Sequence, residues 1–162
     1  MAYLLRSVKK NRWLPLLPDD VPADSFWDLR TDAGTLSVYE VNSGDDALIA
    51  RCVAALVVKT THLEILHLAF VDRALVETLG VGIKQSPGDV PDELVSAVHR
   101  DITNLTGRNL VELAIGFAGD LRQYNLARVA AAINESLDQR WINRSLLPAP
   151  MLEKLARRRG AQ

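Results

Sequence analysis

The run His62-Leu63-Glu64-Ile65-Leu66-His67, with Asp72 a short way downstream, is the densest collection of groups in this chain that could hold a metal or move a proton. Imidazoles and carboxylates close together are what a divalent site, or a general acid and base, requires. His99 stands apart, with Ser96 before it and Thr103 after it at helical spacing, so that on a helix the three would form a polar stripe able to present a general base. Hydrolytic chemistry through His62, Glu64, His67 and Asp72, or through His99, is therefore one reading to weigh. Cys52 has no base near it in sequence, and no Gly-x-Ser-x-Gly elbow marks a nucleophile.

The element that must carry the histidine cluster weakens that reading. Thr61 to Val71 reads as an extended strand, with His62, Glu64, Leu66, Leu68 and Phe70 on one side and Leu63, Ile65, His67, Ala69 and Val71 on the other. His67 then points away from His62 and Glu64, and no metal site is expected. The pair His62-x-Glu64 resembles the His-x-Glu of zinc deaminases. Those sites need a downstream Pro-Cys-x-x-Cys, whereas the sole cysteine here lies upstream. Gly80-Val81-Gly82 ahead of Lys84 lacks the spacing of either phosphate-binding glycine loop, so no cofactor is expected.

Other elements follow from hydrophobic period and turn chemistry. Phe26 to Arg30, the turn Thr31-Asp32-Ala33-Gly34 and Thr35 to Val41 read as a hairpin. Ser43 is the expected cap of a helix whose apolar face is Leu48, Ile49, Cys52, Val53, Leu56 and Val57. With the strand after it, this makes a strand-helix-strand crossover unit. A short helix over Asp72 to Leu79 and a strand over Gly80 to Gln85 follow. The second half reads as helical. Asp89 caps a helix with the stripe Leu94, Val95, Val98, Ile102 and Leu105, Gly107 interrupts, and Leu110 to Gly119 forms the next helix. Asp120 caps a long third helix with Leu126, Val129, Ala130, Ile133, Leu137 and Trp141 on one face. The expected fold is α+β, a small N-terminal sheet of hairpin plus strand-helix-strand unit packed against a C-terminal helical half.

At 162 residues with 48% hydrophobic and 24% charged side chains, the chain is long and apolar enough for one globular core, which excludes the disordered and low-complexity classes. The expected division is a basic, then Pro/Asp-rich strap over 1–25, a single domain over 26–147, and a basic amphipathic tail over 148–162. The longest nearly apolar stretch, Ala47 to Val58, is far too short to cross a bilayer, and the N-terminus has no continuous apolar leader. No membrane contact and a cytoplasmic location are expected.

A net charge of −1 conceals a strong segregation. Residues 1–12 carry four basic groups and no acid, residues 140–162 carry six basic groups against Glu153, and the body between has nine basic and nineteen acidic side chains. Basic arms on an acidic body, with large apolar groups in the strap, point to a non-catalytic interaction or regulatory protein with a protein partner or a homo-oligomer. The residues expected to carry that contact are Trp13 and Leu16 in the strap, Phe26 and Trp27 just after it, and Met151, Leu155, Arg157, Arg158 and Arg159 in the tail. Nucleic acid is a further possible partner through Lys9, Lys10, Arg12 and the terminal arginines. The acidic body would keep such binding weak and non-specific.

Overall fold

The computed structural model describes residues 1–13, 21–29, 34–58 and 60–159, apart from the side chains of Lys10, Asn11 and Arg159. Its centre is one sheet of six strands: β1 (Ala2–Val8), β2 (Leu36–Asn42), β3 (Leu66–Asp72), β4 (Gly82–Gln85), β5 (His99–Thr103) and β6 (Leu121–Tyr124). They lie in the order β4-β5-β2-β1-β3-β6, every neighbouring pair antiparallel. The fold is α+β.

The first correction concerns the N-terminus. Residues read as a basic arm form β1, an interior strand that pairs with β2 through Leu4↔Glu40 and with β3 through Leu4↔Val71. Apolar groups on both sides of the strand explain the placement, because the adjacent Leu4 and Leu5 are both fully buried on opposite faces. The strand-helix-strand unit exists as β2, α2 (Asp46–Val58) and β3, but β1 lies between its two strands. Phe26 does not begin a hairpin. Ala23–Trp27 is a 3-10 turn, and the chain partners of β2 are β1 and β5. The expected turn over Thr31, Asp32 and Ala33 falls outside the described residues.

Each face of the sheet carries its own core. On one, Leu5, Tyr39, Val41, Leu66, Leu68 and Phe70 meet α2, α6 (Leu126–Asp138) and α7 (Ala149–Arg159). On the other, Leu4, Val8, Leu36, Val38, Ala69, Val71 and Ile102 meet Trp13 of α1 (Lys10–Trp13), Val76 of α3 (Arg73–Thr78), and Leu113, Ala114 and Phe117 of α5 (Gly107–Ala118). Gly116 lets α5 approach the sheet closely, since a Cβ there would stand 2.8 Å from Val71 Cγ2.

Several boundaries differ from the periodic reading, each for a local reason. Asp45 rather than Ser43 caps α2, accepting from the Leu48 N–H at 3.0 Å. The strand expected from Thr61 starts at Leu66. Asp92, not Asp89, caps the short α4 (Glu93–Ala97), which ends before Val98. The remaining residues of the expected helix become β5 because β2 and β4 offer backbone partners on both its edges. Leu94, expected in the stripe, is exposed. Asp120 caps no helix. β6 intervenes, and Asn125 caps α6 by accepting from the Arg128 N–H at 2.9 Å.

Candidate functional site

The structure does not bring the expected catalytic groups together. His62 and Glu64 are exposed in the link before β3. His67 lies on β3 facing the core that contains Ala69 and Val71, with its buried Nε2 unpartnered among the described residues. Asp72 caps α3 by accepting from the Ala74 N–H. His99 sits on β5, not on a helix. It is buried edge-on to Tyr39 on the opposite face, and its Nδ1 lies 2.8 Å from Ser86 Oγ. Three strand spacings separate β5 from β3, roughly 14 Å at ~4.8 Å each. Among the described residues no three His, Cys, Asp or Glu side chains are grouped to hold a metal ion. Cys52 is fully buried, and that burial, with Asp92 adding to it, pushes its thiol up to about 12 and leaves it un-nucleophilic.

The strap residues divide. Trp13 is fully buried, edge-on to Phe117, and its indole N–H donates to Asp28 at 2.8 Å. Asp28 also accepts from the Lys9 backbone N–H at 2.7 Å and from the Arg12 guanidinium at 2.8 Å. One buried carboxylate thus ties α1 to the 3-10 turn. Arg6 joins the same corner, donating to the carbonyls of Asp28 and Ser37, and its burial lowers its pKa against the pull of Asp28. Trp13, Arg6 and Arg12 are therefore engaged within the fold. Phe26 is half-buried, Trp27 is 62% exposed, and Leu16 lies outside the described residues.

At the other end the chain folds back over α6. Residue 140 is where α6 stops. Arg140 has φ +59, its N–H donates to the Leu137 carbonyl at 3.2 Å, and the Trp141 N–H donates to the Ser136 carbonyl at 2.9 Å. These are the two hydrogen bonds of a Schellman cap, with arginine at the left-handed position that glycine usually occupies. Trp141 is held from above by the Arg51 guanidinium, 4.0 Å from its ring centroid, and Arg51 is itself fixed by a two-pronged pair to the buried Asp92 at 2.9 and 2.7 Å. Asn143 then caps a second 3-10 turn, Arg144–Leu146, accepting at Oδ1 from both the N–H and the hydroxyl of Ser145. Beyond Pro148, α7 packs Met151 and Leu155 into the core and turns Glu153, Lys154, Arg157 and Arg158 outward. Met151 and Leu155, expected to meet a partner, are internal packing. Arg157 and Arg158 are exposed, and the Arg159 side chain is among those not described.

Between α6, the second 3-10 turn and α7 lies a cavity of about 470 Å³. Leu137, Ile142, Leu152, Leu155 and Ala156 give it an apolar lining, and Asn134, Asp138, Arg140, Asn143 and Arg144 supply its polar groups. Arg140 and Arg144 are both exposed at this cavity, and neither has a carboxylate partner among the described residues. In sequence these two arginines are simply part of the basic stretch 140–162. The only signal available was the run of cations after residue 139. No family model, curated protein or solved structure matches this chain in the comparisons made.

Proposed function

We propose that this chain is a non-catalytic interaction protein that engages an acidic protein partner through its C-terminal face. What carries the reading is the set Arg140, Arg144, Lys154, Arg157 and Arg158, all exposed, opposed within the set's own stretch only by Glu153. Among the described residues the one ion pair there, Arg157 to Glu153, spans 4.0 Å between side chains that are both well exposed, and such a pair holds its partners weakly. Exposed cations in the same stretch as the exposed apolar Leu146 suit a complementary acidic surface. The acidic body disfavours a polyanion as long as a duplex, which must pass more surface than this face alone.

Fluorescence anisotropy of a labelled Glu-rich peptide and of a labelled DNA duplex, each titrated with full-length protein at rising salt, tests this. The peptide is expected to bind at low ionic strength and to lose most of its affinity with Arg140→Gln, Arg144→Gln, Arg157→Gln and Arg158→Gln combined. Tighter binding of the duplex, or peptide binding indifferent to the four substitutions, overturns the reading. Light scattering run alongside separates a foreign partner from a second copy. Truncation after Leu147 is unsuitable here because it would strip Met151 and Leu155 from the core.

A further inference from the structure

We infer that the cavity between α6, the second 3-10 turn and α7 is a binding site for a small carboxylate carried on an apolar body, of the kind a medium-chain fatty acid presents. This goes beyond the protein-partner reading and does not rest on it. The volume of about 470 Å³ lies within the range of small-molecule sites, and five apolar side chains line it. Arg140, Asn143 and Arg144 supply donors to a ligand head, beside Asn134 and the Asp138 carboxylate. Arg140 and Arg144 offer guanidinium forks with no carboxylate partner among the described residues. Asn143 has committed its Oδ1 to Ser145, which leaves its NH2 as the hydrogen-bonding group still open. Two guanidinium forks beside an apolar lining match an anion with a hydrocarbon body, and their planar geometry matches a carboxylate in particular.

The same cavity limits how much negative charge it accepts. The carbonyl end of α6 converges on it with the negative end of the helix dipole, which favours a monoanion over a phosphate dianion. Arg140 carries a second argument. A Schellman cap is served by glycine at lower conformational cost, so an arginine held at φ +59 places a guanidinium at the rim at the expense of stability.

Isothermal titration calorimetry of the full chain with octanoate is the direct test, with acetate, 1-octanol and octyl phosphate as comparisons. Octanoate is expected to bind saturably, at least tenfold more tightly than acetate, which lacks the body, and than octanol, which lacks the charge. Arg140→Gln with Arg144→Gln should weaken octanoate at least tenfold while circular dichroism stays unchanged. Arg140→Gly should weaken octanoate and at the same time raise Tm by about 3 °C. That paired result separates a ligand group from a merely structural one, because a structural arginine would move Tm without moving affinity. Absence of saturable octanoate binding, or binding indifferent to both arginines, overturns the proposal. Octyl phosphate binding more tightly than octanoate overturns its choice of head group. The acidic-peptide result is independent. Octanoate binding in a protein that ignores the peptide would retain this inference and discard the partner reading, and the converse would do the opposite.

Discussion

The two ends of the chain are both short and basic, yet the fold treats them oppositely. At the N-terminus, Arg6 and Arg12 reach inward, and Lys9 contributes its backbone N–H to Asp28. At the C-terminus, Arg140, Arg144, Arg157 and Arg158 face solvent. The difference lies in what the neighbouring sequence supplies. The N-terminal stretch has apolar groups for both faces of the sheet and a buried aspartate at the end of the 3-10 turn, whereas α7 places its apolar groups on one helical stripe and so must turn its cations outward. Similar charge content therefore specifies a structural clasp in one place and a solvent-facing basic surface in the other.

Five variants probe that contrast, from large effects to small. Trp13→Ala, which empties a fully buried aromatic site against Phe117, should cost about 4 kcal/mol in urea unfolding, while Trp27→Ala at an exposed position should change stability little. Equal losses at the two tryptophans would break the contrast between a docked and a free strap residue. Asp28→Ala strands the Trp13 indole N–H, the Lys9 N–H and the Arg12 guanidinium together, and a destabilisation of about 3 kcal/mol is expected by the same measurement.

At the C-terminal end the signs change. Arg140→Gly relieves a left-handed arginine and should stabilise the protein by roughly 1 kcal/mol, read as a shift of the urea midpoint at constant slope. A loss of stability there would mean that the arginine is part of the scaffold, like Arg12. Arg157→Gln with Arg158→Gln should leave unfolding within about 0.5 kcal/mol of the parent while reducing acidic-peptide affinity, which sharpens the distinction between the two ends.

Much of the helical framework was legible from period alone. The stripe through Ile49, Cys52, Val53 and Val57 predicts α2, and that through Val129, Ala130 and Ile133 predicts α6, because burial on one side of a helix leaves a regular trace over three or more turns. Short strands leave no such trace. β5 is five residues whose Ile102, with Val98 just before the strand, also fits a helical stripe, and four-residue β6 has no period of its own apart from the helix after it. Which pattern prevails depends on whether a neighbouring strand is present to complete the backbone hydrogen bonds, information held elsewhere in the chain.

The candidate site divides along the same line. Local composition determined that residues 140–162 are basic and that Met151, Leu152 and Leu155 share an apolar helical stripe, since both are properties of neighbours in sequence. Only the tertiary structure decided that Asn134 and Leu137 on α6, Asn143 and Arg144 at the turn, and Leu152 and Ala156 on α7 surround one cavity. It likewise decided that β1 lies at the centre of the sheet and not at its margin. The physical reason is that a helix face or a charge run is set by residues a few positions apart, whereas a cavity or a strand order exists only once elements distant in sequence have packed, and their packing answers to the burial of both sheet faces at once.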